Sequence, residues 1–330
     1  MSTTRTGHLH RAAVAAVLAA CLPVAADGAG SAGGTEVTTA SLWIEPADLA
    51  GRDLFWGPWG AERAPDPAAI YRLVQRKHTG INPGMTVIDP LGREWSVKQA
   101  PPEPLPDEAR VEVVVSRILS AVGFHQPPVF YLPSFTLQDD WGTHQESGGR
   151  FRLKIKSLKD RGEWSWQQNP FVGSRPHQGL LAMLMVLNSS DLKSSNNTLY
   201  EHRTGGTPEH WYVVRDVGTA LGSTGRVAAL KGDAEAFRRR PLLRGFDGDF
   251  AVFNYRGRHQ ALVTRRISRQ DLGWAGDLLG RLSDHQWDEA FRAGGYGHAD
   301  GRAFIDTLLA RIGEAQAAAS DDRRSAVEGS

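Results

Sequence analysis

Asp191-Leu192-Lys193-Ser194-Ser195-Asn196 is the stretch on which the reading of this chain turns. It follows a largely apolar run, Pro176 to Leu187, whose Leu180, Leu181, Met183, Leu184 and Leu187 describe a helix buried on most sides. Twenty residues past Asn196, the strand-like run Trp211-Tyr212-Val213-Val214 ends in Arg215-Asp216-Val217-Gly218. Far upstream, Arg93 to Lys98 is a strand that ends on a lysine, and Glu112 lies 14 residues beyond Lys98 on a predicted helix. Polar side chains therefore stand at the ends of regular elements, in one order.

Around these pieces the first half of the chain reads as strand-rich and the second as helix-rich. Asp66, with Pro67 in the first turn, predicts a short helix over 67–74. Met85 to Asp89 and Arg93 to Lys98 form a hairpin about Pro90-Leu91-Gly92. After the Pro-rich loop 101–106, Asp107 opens a helix carrying Val111, Val114, Val115, Ile118, Leu119 and Val122 at helical spacing, and Gly123 stops it. Residues 130–132 and 151–155 are predicted strands with a polar loop, 138–149, between them. Further on, 198–200 and 211–214 are short strands, 250–253 and 260–263 a second hairpin, and 270–282, 284–293 and 299–315 three helices. Strands and helices segregated in this way predict an α+β chain of two lobes. The N-terminal lobe spans 66–165 and the C-terminal lobe 166–315, with the boundary near Trp164 to Phe171 and a disordered tail over 316–330. Ahead of them, 22–65 forms a tether and extension. Its Gly, Ala, Ser and Thr-rich part, 27–41, reads as flexible, and Leu42 to Trp59 as a docking segment or capping loop.

The residue types at these positions suit one chemistry. Phosphoryl transfer needs a cation on the non-transferred phosphates, hard oxygen ligands for a divalent metal, and a carboxylate to align the incoming nucleophile. A strand lysine held by a helix glutamate supplies the first, an Asn and an Asp on neighbouring loops the second, and a loop Asp the third. Each piece alone is ordinary: Lys98 a solvated strand end, Glu112 a surface helix charge with Glu108 as a rival one turn earlier, Asp216-Val217-Gly218 a strand ending in a turn. The ordered set carries the signal.

Asp191 to Asn196 resembles the protein-kinase catalytic loop, D-L-K-x-x-N; Asp216-Val217-Gly218 stands where that family has D-F-G, and Lys98 where it has the strand lysine. The resemblance implies a two-lobed kinase-like fold. It implies that Lys98 contacts the α/β-phosphates of ATP or another nucleoside triphosphate and that Glu112 holds Lys98. Asp191 would be the catalytic base and Lys193 would steady the transferred phosphate, while Asn196 and Asp216 bind Mg²⁺ or Mn²⁺. There are departures. Ser189-Ser190 replaces the usual His-Arg, the glycine-rich loop is reduced to Gly80 and Gly84, and no A-P-E segment follows Asp216. In this the chain is more similar to divergent kinase-like families, of the secreted Fam20, spore-coat CotH and HipA types, than to ordinary protein kinases.

The N-terminus reads as an export signal. Arg5 and Arg11 precede the apolar run Ala12 to Ala20, which is too short to span a bilayer. Leu18-Ala19-Ala20-Cys21 resembles a lipobox, which implies residues 1–21 as a lipoprotein signal peptide and membrane tethering through a lipidated Cys21; cleavage after Val24-Ala25-Ala26 is the alternative. Cys21 is the one cysteine, so no intrachain disulfide is available. The formal charge is +1, of which Arg5 and Arg11 contribute two, so the chain beyond the leader is near neutral and gives broad nucleic-acid binding no electrostatic support. The sequence holds no H-E-x-x-H, G-x-S-x-G or Walker motif, and its one G-x-G-x-x-G match, Gly28 to Gly33, falls in the flexible tether with no strand before it. Three functions stay open: an exported kinase-like enzyme acting on a protein or small-molecule acceptor, an inactive pseudokinase-like lipoprotein that binds a ligand or partner, and an envelope enzyme using Asp191 or Asp216 as acid and base.

Overall fold

The structure is a computed structural model that describes residues 39–77, 83–100, 108–224, 230–257 and 259–328, with the helical backbone alone for 321–328. The leader with Cys21, Gly80, the loop 101–106 and the capping residue Asp107 lie outside the described residues. Among the described residues no helix is long and apolar enough to cross a membrane.

After the short strand β1 (Thr39–Ser41), the chain builds a closed five-stranded barrel in the order β2-β3-β4-β6-β5. Its strands are β2 (Ile70–Lys77), β3 (Gly84–Ile88), β4 (Glu94–Gln99), β5 (Val129–Asp139) and β6 (Gly142–Leu153). Alternation puts Tyr71, Met85, Val87, Trp95, Val97, Phe135 and Phe151 inside, where their packing forms a separate core. Rings of Tyr71, Phe135, Trp95 and Phe151 meet there edge-on or tilted at centroid distances of 5.0 to 6.0 Å. Each large apolar side chain buried in this way contributes ~1.5–3 kcal/mol.

β2 occupies most of the segment predicted as a helix. Asp66 does cap, but it caps a turn: its Oδ1 accepts the Ala68 amide and its carbonyl accepts the Ala69 amide and the Tyr71 hydroxyl. From Ile70 the side chains alternate across the sheet, and Tyr71 is fully buried in the barrel. That tertiary gain overrides the helix propensity of Ala68-Ala69. The predicted polar loop 138–149 is instead the far end of the β5–β6 hairpin, paired from Asp139–Gly142 onward. Burial still alternates there, but the half-buried positions are the polar or small His144, Glu146 and Gly148, so the apolar alternation disappears while the ladder continues.

Helix α1 (Glu108–Ala121) links the barrel to the rest. Its Val111, Val114, Val115, Ile118 and Leu119 join a second, larger core with the helices α2 (Arg175–Val186), α4 (Arg269–Leu279), α5 (Asp284–Ala293) and α6 (His298–Glu328). A second sheet, β1-β9-β8-β7, carries β7 (Leu158–Asp160), β8 (Asn197–His202) and β9 (Glu209–Val214). The α+β class and the separation of strands from helices expected from sequence are what is found.

Three further boundaries move. The extension 39–65 is part of the fold: β1 pairs with β9, and Leu42, Leu49 and Leu54 are buried in the large core. The Gln286 amide donates to the carbonyls of Leu49 and Arg52, fixing the segment to α5. Residues 260–263 hold a 3-10 turn, Gln260–Leu262, rather than a strand. The partner of β11 (Phe250–Phe253) is β10 (Leu243–Asp247), which follows the short helix α3 (Ala234–Arg238). Lastly, α6 continues to Glu328, so residues 316–328 are helical and not a disordered tail. Ala315 and Ala318 pack in the large core, and Ala319 fills the space beside Gly273 of α4.

Candidate active site

The barrel presents one row of residues to the cleft. In register, Lys77 pairs with Gly84, Gly84 with Lys98, and Lys98 with Arg150. One pleat along, Thr86 pairs with Ser96 and Ser96 with Arg152. Because side chains two apart share a face, Lys98 and Ser96 lie together, as do Arg150 and Arg152. Lys98 meets three carboxylates. Its Nζ is 3.1 Å from Glu108 Oε2, 3.4 Å from Glu112 Oε2 and 3.2 Å from Asp216 Oδ1. Glu108 and Glu112 stand one helical turn apart on α1, so both sequence candidates for the lysine partner are in contact with it. Glu112 is almost wholly buried and also pairs with Arg150 Nε at 2.9 Å. Glu108 in turn pairs with Lys231.

The two loops that carry the remaining groups are tied by backbone. The Asn196 carbonyl accepts the amides of both Arg215 and Asp216, at 2.9 and 3.1 Å. The Thr219 carbonyl accepts the amide and hydroxyl of Ser190, at 3.2 and 3.1 Å. Ser190 stands in the position of the expected Arg, and it takes a structural role in joining the loops. Asn188 closes α2 in the left-handed region (φ 54), a conformation Asn tolerates, and donates from its side chain to the Gly222 carbonyl. Gly218 is explained by space: a Cβ there would lie 2.6 Å from the Glu108 carbonyl. The absence of a side chain lets the loop after Asp216 press against the start of α1.

Within this frame Lys193 Nζ pairs with Asp191 Oδ2 at 2.9 Å, and Asn196 Nδ2 donates to the Asp191 carbonyl at 2.8 Å. Asp191 Oδ1 is buried with no hydrogen-bond partner among the described residues. Lys98, Glu108, Glu112, Asp191, Lys193 and Asp216 all border a single cavity of about 420 Å³. Five of the six residues singled out from the sequence, Lys98, Glu112, Asp191, Lys193 and Asp216, therefore converge on it; the sixth, Asn196, is buried and does not border the cavity, and bonds to Asp191 and Asp216 instead.

Electrostatics match that layout. Burial works to discharge Lys98, but Glu112, Asp216 and Glu108 outweigh it and hold the ammonium well above the ordinary lysine range. Burial raises Asp216, and the charge and hydrogen bond of Lys98 more than reverse this, leaving the carboxyl below its usual value. Glu108 is lowered against burial by Lys98 and Lys231 in the same way. Lys98, Glu108 and Asp216 are thus all held in their charged forms at neutral pH, and the Asp216 side chain stays about 45% exposed.

Asp216, ionised and open to the cleft, is an oxygen group suited to a divalent cation, while Asn196, the other ligand the resemblance implies, is buried with its Nδ2 on the Asp191 carbonyl. Among the described residues no group of three or more His, Cys, Asp or Glu side chains is arranged to hold a metal. An ion here would complete its shell with ligand phosphate oxygens and water, as Mg²⁺ characteristically does.

Sequence reasoning passed over Lys77, Arg150, Arg152 and Lys231, which also border the cavity. For one of them a signal existed, since Arg152 stands between Phe151 and Leu153 on the predicted strand 151–155.

No family model matches the chain, and no curated protein matches it. Among solved structures, the crystal structure of a Helicobacter pylori proinflammatory kinase, CtkA, is similar at 11% identity and a TM-score of 0.32, covering 75% of this chain and 98% of that one.

Proposed function

We propose that the chain is an exported kinase-like phosphotransferase that binds a nucleoside triphosphate with Mg²⁺ or Mn²⁺ in this cleft and phosphorylates a protein or small-molecule acceptor. The observation that carries the reading is the convergence of Lys98, paired to Glu112, with Asp216, Asp191 and Lys193 around one cavity, from four separate places in the chain, with Asn196 hydrogen-bonded to Asp191 and Asp216. Lys98 supplies a fixed positive charge for the non-transferred phosphates. Asn196 and Asp216 would hold the metal, whose chemistry is to neutralise phosphate charge. Asp191 takes the proton of the acceptor hydroxyl as its oxygen bonds to the terminal phosphorus and the bond to the diphosphate breaks. Lys193, bound to Asp191, is placed to follow the charge on the transferred group.

The test is transfer of labelled terminal phosphate from ATP with Mg²⁺ or Mn²⁺, autophosphorylation included. Transfer abolished by Asp191→Asn supports the enzyme. Metal-dependent binding without transfer, across a panel of protein acceptors, supports an inactive kinase-like binding protein instead. Export is read from the leader, and the intact mass of the mature protein tests it: a diacylated N-terminal Cys21 and a plain terminus at Asp27 are the two expected products.

A further inference from the structure

The inner end of the cleft carries positive charge that the protein does not balance. Next to the cavity at Lys98 lies a second of about 400 Å³, and Lys77, Arg152 and Arg215 border both. Most cations in the region have a carboxylate. Lys98 has three, Arg150 has Glu112, Lys193 has Asp191, Lys231 has Glu108, Lys154 has Glu94, and Arg215 has Asp160 at 2.9 Å. Lys77 and Arg152 have none among the described residues. Lys77 donates to the neutral Ser96 hydroxyl at 3.3 Å.

The two leftover cations are neighbours, and they repel. Burial lowers Lys77, and Arg152 followed by Arg150 and Arg215 lower it further. Arg152 is pushed down to about 10 by burial, with Arg150 and Arg215 adding to the effect. A guanidinium and an ammonium placed together in a partly buried cavity cost free energy in the free protein, and a bound anion removes that cost. The same cavity is bordered by the hydroxyl-bearing Thr86 and Ser96 on the sheet and by the apolar Leu153, Ile155 and Leu158, so its cations stand against a partly apolar wall.

We infer that this inner cavity binds a phosphate-class anion separate from the one at Lys98, held by Arg152 and Lys77 with Arg215 and the Ser96 hydroxyl beside them. The inference rests on the nucleotide reading of the cleft and adds to it that the bound ligands together present a second phosphate group. Arg152 is the determinant, because its planar fork can bind two oxygens at once.

Calorimetric titration of pyrophosphate into the purified full chain, without metal, tests this. The wild type is expected to bind, Arg152→Gln to bind roughly tenfold or more weakly, Lys77→Gln to weaken less, and Arg152→Lys to recover part of the loss. Melting temperatures of the variants separate lost binding from lost folding, and Arg152→Lys keeps the charge if Arg152→Gln does not fold. Wild type that fails to bind pyrophosphate, or Arg152→Gln that binds as wild type does, overturns the inference. Lys98→Gln removes the cation at the other end; if it weakens metal-free pyrophosphate binding more than Arg152→Gln does, the anion sits at the Lys98 end and the inference is overturned. Arg152-dependent pyrophosphate binding in a chain that shows no metal-dependent ATP binding would uphold the second site while removing the nucleotide reading. Repeating the titration with saturating ATP and Mg²⁺ tests the separation: pyrophosphate that still binds in an Arg152-dependent way upholds a second site, for a phosphorylated co-substrate, whereas pyrophosphate that ATP displaces shows that the nucleotide itself covers the cavity and overturns the inference.

Discussion

Lys98 Nζ stands 3.2 Å from Asp216 Oδ1, although the two residues are 118 positions apart. The barrel supplies the amine and the loop after β9 supplies the carboxylate, so this contact joins the two halves of the cleft. Glu108 and Glu112 on α1 complete the set, and the position of α1 therefore governs the charge that the cleft offers to a ligand.

Removing the amine should expose that dependence. Lys98→Met leaves three carboxylates facing one another and is expected to cost ~2–4 kcal/mol near neutral pH, reduced from the fully buried case because Asp216 is half exposed. Without the amine the carboxyl groups bind protons at higher pH, which relieves their repulsion. Urea midpoints should therefore show the gap between variant and wild type narrowing from about pH 7.5 to about pH 5. A gap of constant size would mean that the amine and carboxylates are not coupled.

Asp191→Asn keeps the shape of the loop and removes a proton acceptor. Transfer should fall by a factor on the order of 10²–10⁴, while the dissociation constant for the nucleotide, measured by equilibrium binding, should stay within about threefold. A large loss of binding would move Asp191 from the chemistry to the ligand contacts.

Gly218→Ala brings a methyl group to 2.6 Å from the Glu108 carbonyl, a backbone atom that cannot swing away. The expected cost is ~1–3 kcal/mol, accompanied by weaker nucleotide binding, because Glu108 and Lys98 shift with the start of α1. Gly206→Ala, where a Cβ meets nothing within 4 Å, is the control and should melt with the wild type.

His125 sets a pH dependence of its own. It stacks on Trp211 at 4.3 Å with the rings nearly parallel, and it meets the Ser41 hydroxyl at 2.7 Å. Burial, with His202 nearby, lowers its pKa to about 4. The unfolded chain then binds more protons than the folded one between about pH 6.5 and 4. Stability from this group is full above that window and declines through it by up to ~3 kcal/mol. His125→Gln should flatten the fall in denaturation midpoint over that range relative to the wild type; parallel curves would show that the imidazole is not buried in neutral form.

Much of the site was legible because its pieces are local: Asp191 to Asn196, Asp216 to Gly218, and Lys98 at a strand end each read from a few neighbouring residues. What joins them was not, since the Lys98–Asp216 contact, the parallel pairing of β2 with β5 and the docking of Leu49 and Leu54 on the large core depend on distant partners. Some misses had a signal. Asp247-Gly248, with Gly248 at φ 60, marks the β10–β11 turn that places the hairpin ahead of 260–263. Other misses had none. Nothing near Pro67 announces that Tyr71 fills a barrel, and no local pattern shows that Lys77 and Arg152 lack carboxylates.

The central claim is that Lys98, Asn196 and Asp216 form one site for a nucleotide and its metal. Binding of ATP, titrated with Mg²⁺ and with a chelator in wild type and Asp216→Ala, measures it directly. The expected result is that Mg²⁺ tightens binding roughly tenfold or more in the wild type and has no such effect in Asp216→Ala. Equal Mg²⁺ dependence in both proteins, or no ATP binding by the wild type, would contradict it.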